Sequence, residues 1–175
     1  GRRALWDKGQ GKRCGSPAWE DDVKKIRIGW ASASITPDRP VLMLGQMYHR
    51  VSEYVRDPLT ATALALDNGE TQAVFVSLDM VEPPYWLKER LDQLLAGVEG
   101  LDPRYVSLGV THTHSSSDFN SDFLRDANEK ILGTDILPPV EMGPEVLRGE
   151  EAQAFLAERL SDVIRRAWEG RTEGG

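Results

Sequence analysis

One cysteine, three histidines, no apolar run fit to cross a bilayer and no surplus of basic residues define this 175-residue chain by what it lacks. A lone cysteine, Cys14, excludes an intramolecular disulfide and leaves the redox compartment unread. A membrane-spanning helix needs about 20 consecutive apolar residues and a signal peptide needs a hydrophobic amino-terminal stretch. Neither is visible, so the chain reads as soluble with its location unknown. Twenty-one Lys and Arg against 28 Asp and Glu leave a formal charge of −7. A nucleic-acid groove or an anionic membrane surface would require clustered basic side chains, and both are excluded on that ground. The basic residues Arg2, Arg3, Lys8, Lys12 and Arg13 sit in a polar, Gly-rich leader that reads as a solvated tail.

Hydrophobic residues make up 40% of the chain, enough for the core of one domain. Residues 1–25 show no apolar periodicity and are expected to form a disordered or loosely attached leader; the domain is expected over residues 26–170. It opens with an alternating strand from Ile26 to a turn at Thr36-Pro37, followed by a Pro-, Gly- and Met-rich loop to about Asp57. Residues 59–66 and 72–80 read as two strands joined through Asp67-Asn68-Gly69-Glu70, and Asn-Gly is the strongest short hairpin signal. Leu87, Leu91, Leu94, Leu95 and Val98 then draw one apolar helical stripe ending near Gly97 or Gly100, before a turn at Leu101-Asp102-Pro103 and a strand over 104–110. Strand, helix, strand makes a βαβ unit with two parallel strands. Residues 115–149 form a long irregular stretch with a short helix expected near 119–130, and residues 150–168 place Ala152, Phe155, Leu156, Leu160, Val163, Ile164 and Ala167 on one helical face. The fold class is α/β: a mixed sheet containing a hairpin and a βαβ unit, with helices packed on it.

The densest chemistry is Thr111-His112-Thr113-His114, directly after the apolar run 105–110. Two imidazoles at i and i+2 on extended backbone face the same side, and neutral imidazole ligates zinc well. The pair therefore either shares one ion or divides into a ligand and an acid–base partner. The plain alternative is two surface histidines. The crowding of Thr, His and Ser at a strand end, where a structural segment more often carries turn residues or charge, favours the metal or catalytic role. Asp79 ends an otherwise apolar strand; a carboxylate there orients a ligating histidine, binds metal itself, or caps the turn into the Pro83-Pro84 helix. Asp79 and His112 follow parallel strands at the carboxyl edge, where α/β sheets gather ligands. Ser115, Ser116, Ser117 and Asp118 offer hydroxyl contacts or a helix cap, and His49 has no ligand-like neighbour.

Read together, Gly29-Trp30-Ala31-Ser32-Ala33-Ser34-Ile35-Thr36-Pro37, Gly45, Arg50, Asp57-Pro58-Leu59, Val76-Ser77-Leu78-Asp79 and Thr111-His112-Thr113-His114-Ser115 form an ordered set of motifs. In order and spacing the set resembles the amino-terminal domain of neutral and alkaline non-lysosomal ceramidases and bacterial ceramidase-like proteins. The resemblance covers residues 28–115. It implies a zinc-dependent hydrolase of an amide (N-acyl) bond in sphingolipid or other lipid metabolism, with a lipid or small-molecule amide as substrate. It also implies that His112 binds Zn2+ and that His114, the catalytic residue, stands beside the metal-activated water. Zinc lowers the pKa of its water toward ~7 and polarises the carbonyl, while a neighbouring histidine moves protons to the departing amine. Arg50 and Ser115 are the expected substrate-facing residues, and Asp79 the expected support or additional ligand.

Ser116-Ser117-Asp118 stands where the family continues Ser-Gly-Pro, and Arg56 where many relatives carry histidine before Asp-Pro. The family draws its other ligands, a histidine, a glutamate and a tyrosine, from much later in the chain, and no histidine follows His114 here. The expectation is a fragment, running from Gly1 to Gly175, that holds half of an active site, is inactive alone and needs ligands from downstream sequence. Two other classes stay open. His112-Thr113-His114 also looks like the opening of PHP-type metallophosphoesterases and, more distantly, metallo-β-lactamase hydrolases, although the hairpin and βαβ unit ahead of it fit neither well. A noncatalytic interaction domain with an incomplete metal site is the third reading.

Overall fold

Alternating burial sets the sheet. The computed structural model describes residues 25–46, 48, 50–120 and 142–174. Its elements in chain order are β1 (Arg27–Ser34), β2 (Leu42–Met43), β3 (Arg50–Val51), β4 (Thr60–Asp67), β5 (Gln72–Leu78), α1 (Leu87–Leu95), a 3-10 turn at Pro103–Tyr105, β6 (Val106–Val110), α2 (Gly149–Glu169) and β7 (Thr172–Glu173). Along β4 the side chains of Ala61, Ala63 and Ala65 are fully buried, while the residues between them turn to the other face. Gly29 and Ala31 of β1, paired across the ladder with Ala65 and Ala63, continue the same floor of small residues.

That floor lets α2 approach closely. A Cβ added to Gly29 would stand 1.8 Å from the carbonyl oxygen of Ala167. Leu156, Leu160, Val163, Ile164 and Ala167 of α2 share one core with Leu87, Leu91 and Leu95 of α1 and the sheet residues Val74, Val76 and Leu78. Each fully buried leucine contributes roughly 2 kcal/mol relative to exposure, so the two apolar stripes account for much of the packing. The opposite sheet face carries Trp30, Leu64, Phe75 and Ser107 in a line across β1, β4, β5 and β6, and Trp30 remains 67% exposed.

The five-stranded sheet has the order β6-β5-β4-β1-β7, and β2 and β3 form a separate two-stranded sheet. β4 and β5 pair antiparallel with Asp67 opposite Gln72. Their connection uses the expected chemistry: Gly69 has φ +86, and the Asn68 side-chain oxygen accepts the amides of Glu70 at 3.0 Å and Thr71 at 2.7 Å. β5 and β6 pair parallel through the α1 crossover, with Leu78 opposite Val110. The mixed α/β architecture and the βαβ unit are therefore present as expected.

Several details differ from the sequence expectation. Pro103–Tyr105 forms a 3-10 turn, so β6 starts at Val106; Asp102 caps the turn by accepting the Arg104 amide at 3.0 Å. The loop before Asp57 contains the β2–β3 hairpin, and β7 adds to the edge of β1 opposite Arg27 and Ile28. At that end buried Asp67 pairs with Arg27 and with Arg171, whose guanidinium lies 3.2 Å over the Trp168 ring. Strands of two residues carry no periodicity for a sequence pattern to show. The helix expected near 119–130 falls mostly outside the described residues, as do His49 and residues 1–24; Phe119 and Asn120 are not helical.

Candidate active site

The parallel pair β5 and β6 delivers two chain segments to one edge of the sheet. The Thr111 amide donates to the Leu78 carbonyl at 2.9 Å, extending the ladder one step past Val110 and bringing Thr111 beside Asp79. Asp79 Oδ2 accepts the Thr60 amide at 2.9 Å and the Thr60 hydroxyl at 2.7 Å, and Oδ1 accepts the Thr111 hydroxyl at 3.2 Å. Partial burial pushes the Asp79 carboxyl up, but the bonds from the Thr60 hydroxyl, the Thr60 amide and the Thr111 hydroxyl outweigh it and hold the group below the ordinary carboxylate range. Asp79 is thus an ionised tie between β4, β5 and the histidine segment.

Beyond Thr111 the backbone leaves strand geometry. His112 has φ 60, the only positive φ of a non-glycine residue among those described. Such a backbone is sparsely populated, though histidine is among the residues enriched there, and cost of this kind concentrates at functional sites. The His112 ring then sets Nδ1 2.7 Å from the Val81 carbonyl oxygen. A carbonyl accepts only, so Nδ1 carries the proton and the neutral ring keeps its lone pair on Nε2. This is the backing that ligating imidazoles commonly have.

His114 follows with its ring centroid 5.0 Å from that of His112 and the planes at 70°. Both side chains are exposed. The sequence expectation that the pair stands close is met, but for another reason: the left-handed turn at His112, rather than strand alternation, brings the rings together. Downstream, the segment lies along β2. Leu44 donates to the Ser116 carbonyl at 2.9 Å, Asp118 donates to the Leu42 carbonyl at 2.7 Å, and Met43 bridges Ser117 antiparallel. The fully buried Ser116 hydroxyl accepts the Val81 amide at 3.2 Å, so the motif's serines tie the loop down from within. Asp118 accepts the Asn120 amide at 2.8 Å.

Arg50 on β3 donates from Nη2 to the His114 carbonyl oxygen at 3.1 Å. Gly45, with φ +108, faces the same residue so closely that a Cβ would stand 2.5 Å from the His114 Cα. Beside the histidine segment opens a cleft of about 760 Å³, with Asp79, Thr113, Ser115, Ser117, Arg50, Val41, Met43, Tyr54 and Leu59 among its lining residues. Asp79, Arg50 and Ser115 therefore share one hollow, and the two imidazoles lie outside its lining. Among the described residues, no group of three or more His, Cys, Asp or Glu side chains is placed to hold a metal ion. The Val81 carbonyl and the Gly45 contact were not legible as parts of the site. The first is backbone and has no sequence signal, while Gly45 stands in the motif set without any sign of what it touches.

Comparison with known proteins finds no matching family model and no matching curated protein. Solved structures do match. The crystal structure of neutral ceramidase from Pseudomonas aeruginosa superposes with a TM-score of 0.67 at 19% identity, covering 87% of this chain and 23% of that one. A structure described as ceramidase complexed with C2 superposes at 0.61 with 20% identity, covering 86% and 22%. The chain spans less than a quarter of the length of either. These superpositions show that the chain has a ceramidase-like fold.

Proposed function

We propose that this chain carries part of the active site of a zinc-dependent hydrolase that cleaves an amide (N-acyl) bond, with His112 as a metal ligand and His114 as the acid–base residue. The observation that supports it most is the His112 ring, held by the Val81 carbonyl so that Nε2 is free, beside a second imidazole in a ceramidase-like fold. When bound, zinc supplies Lewis-acid polarisation of the scissile carbonyl and activation of the attacking water.

The chain's own residues do the rest. Asp79, tied to Thr60 and Thr111, holds the two strand ends in register beneath the turn that presents the histidines. His114 stands clear of the metal ligand's backing bond and carries a proton to the departing amine. Ser115 and Arg50, on the wall of the cleft, border the substrate; the cleft's mixed polar and apolar lining suits an amide joined to an apolar chain. No helix among the described residues is long and apolar enough to cross a membrane. One imidazole does not complete a zinc site, so further ligands come from polypeptide outside these residues.

The test is made on the complete protein, loaded with zinc and assayed on an N-acyl amide. His112→Ala is expected to abolish zinc retention, and His114→Ala to retain zinc and lose turnover. Equal metal content in wild type and both variants sinks the assignment. Two or three metals per chain with phosphoester hydrolysis would instead support a phosphoesterase, and absence of metal from the complete protein would support a noncatalytic domain.

A further inference from the structure

We infer that Arg50 is a positioning residue for His114, and that the β2–β3 arm sets the second histidine independently of the first. The two rings are neighbours, yet each has its own direct support, and the two supports meet at Ser116, which accepts from both Val81 and Leu44. His112 is held from the Val81 side, by the carbonyl that follows β5. His114 is held from the arm: the Arg50 guanidinium takes its carbonyl oxygen at 3.1 Å, and the Gly45 backbone lies against its Cα and Cβ, leaving no room for a side chain there. The ladder from Leu42 and Leu44 to Asp118 and Ser116 fixes the arm to the segment just downstream. His114 is therefore clamped between a backbone surface and a cation, and only the cation can be changed without touching the main chain.

The choice of arginine fits that duty. Its planar fork sets the direction of the bond to a carbonyl, whereas a lysine would place a mobile point charge there. The Arg50 Nε is buried and has no hydrogen-bond partner among the described residues, so the guanidinium is kept at the arm at some cost in desolvation. Arg50 stands on the cleft wall, and from there it commits Nη2 to the main chain of the residue whose ring performs the proton transfer. The catalytic part of this inference rests on the hydrolase reading above; the structural part does not.

The complete protein, labelled with 13C at histidine, provides the test at fixed pH, its ring signals assigned with His49→Gln, His112→Gln and His114→Gln. Arg50→Gln is expected to shift or broaden the His114 ring signal, leave the His112 signal in place, and leave zinc affinity within about twofold of wild type. Arg50→Lys should bring the His114 signal back toward its original position. In the zinc-loaded protein, Arg50→Gln is expected to lower kcat about tenfold with KM nearly unchanged. If Arg50→Gln does not fold, Arg50→Lys is read directly against wild type and is expected to move the His114 signal by a smaller amount, with the His112 signal in place. Both signals moving together, neither moving, or a raised KM at unchanged kcat each overturns the inference. The last of these makes Arg50 a substrate contact. Failure of the hydrolase reading is seen separately, as absence of zinc or turnover in wild type, while the ring signals still decide the clamp.

Discussion

His112 Nδ1 stands 2.7 Å from the carbonyl oxygen of Val81, and His112 reaches it only by taking a left-handed backbone. Position and side chain are therefore at odds: an imidazole is wanted where asparagine or glycine would rest more easily.

That conflict separates stability from metal binding. An L-residue in the left-handed region costs roughly 1–2 kcal/mol, least for Asn, Asp and His and most for a β-branched side chain. His112→Asn is expected to unfold in urea within about 0.5 kcal/mol of wild type, and His112→Val about 1–2 kcal/mol below it. Both should lose zinc in the complete protein. An asparagine variant as unstable as the valine variant would show that the backbone strain is not what the turn tolerates.

Asp79 gives the site a pH signature. Its folded pKa lies below its unfolded value, so its hydrogen bonds add stability that is fully present above about pH 4 and disappears as pH falls through the lower folded value. Asp79→Asn keeps the shape but has no charge to protonate, and it turns an amide NH2 toward the donors of Thr60 or Thr111. At pH 7 the variant is expected to lose no more than about 1 kcal/mol, because the carboxylate is only half-buried and water screens it. The gap should narrow steadily below about pH 4. Urea midpoints measured from pH 7 to pH 3 check this, and a gap that stays constant contradicts it.

Gly29 tests the approach of helix to sheet. The carbonyl of Ala167, 1.8 Å from where a Cβ would sit, is backbone in the last turns of α2, so neither partner can swing aside. Gly29→Ala is expected to cost about 3 kcal/mol, seen as a lowered urea midpoint. Gly97→Ala is the control, since nothing lies within 4 Å of a Cβ there. An alanine at position 29 tolerated as well as one at position 97 would refute the close packing.

Much of the frame is legible in the sequence. Asn68-Gly69 marks the β4–β5 hairpin because the turn needs a side-chain acceptor and a positive φ. The stripes through Leu87, Leu91 and Leu95 and through Leu156, Leu160 and Val163 mark two helices because a helix repeats its face every few residues. Parallel pairing of β5 and β6 follows from the crossover between them. The histidine pair was legible as a motif because its residue types are scarce in this chain and stand together at a strand end.

The backing of those histidines was not legible. Local interactions, which repeat along the chain, determined the elements and their order, and residue type alone nominated His112, His114 and Asp79. Only the tertiary structure decided that β2 and β3 would fold over as an arm against His114, that Val81 would hold the His112 ring, and that Thr60 would join Thr111 on Asp79. Each of these contacts sets a side chain against a main-chain group, which every residue carries alike, or against a side chain far away in the chain. They come into being only when packing closes the distance.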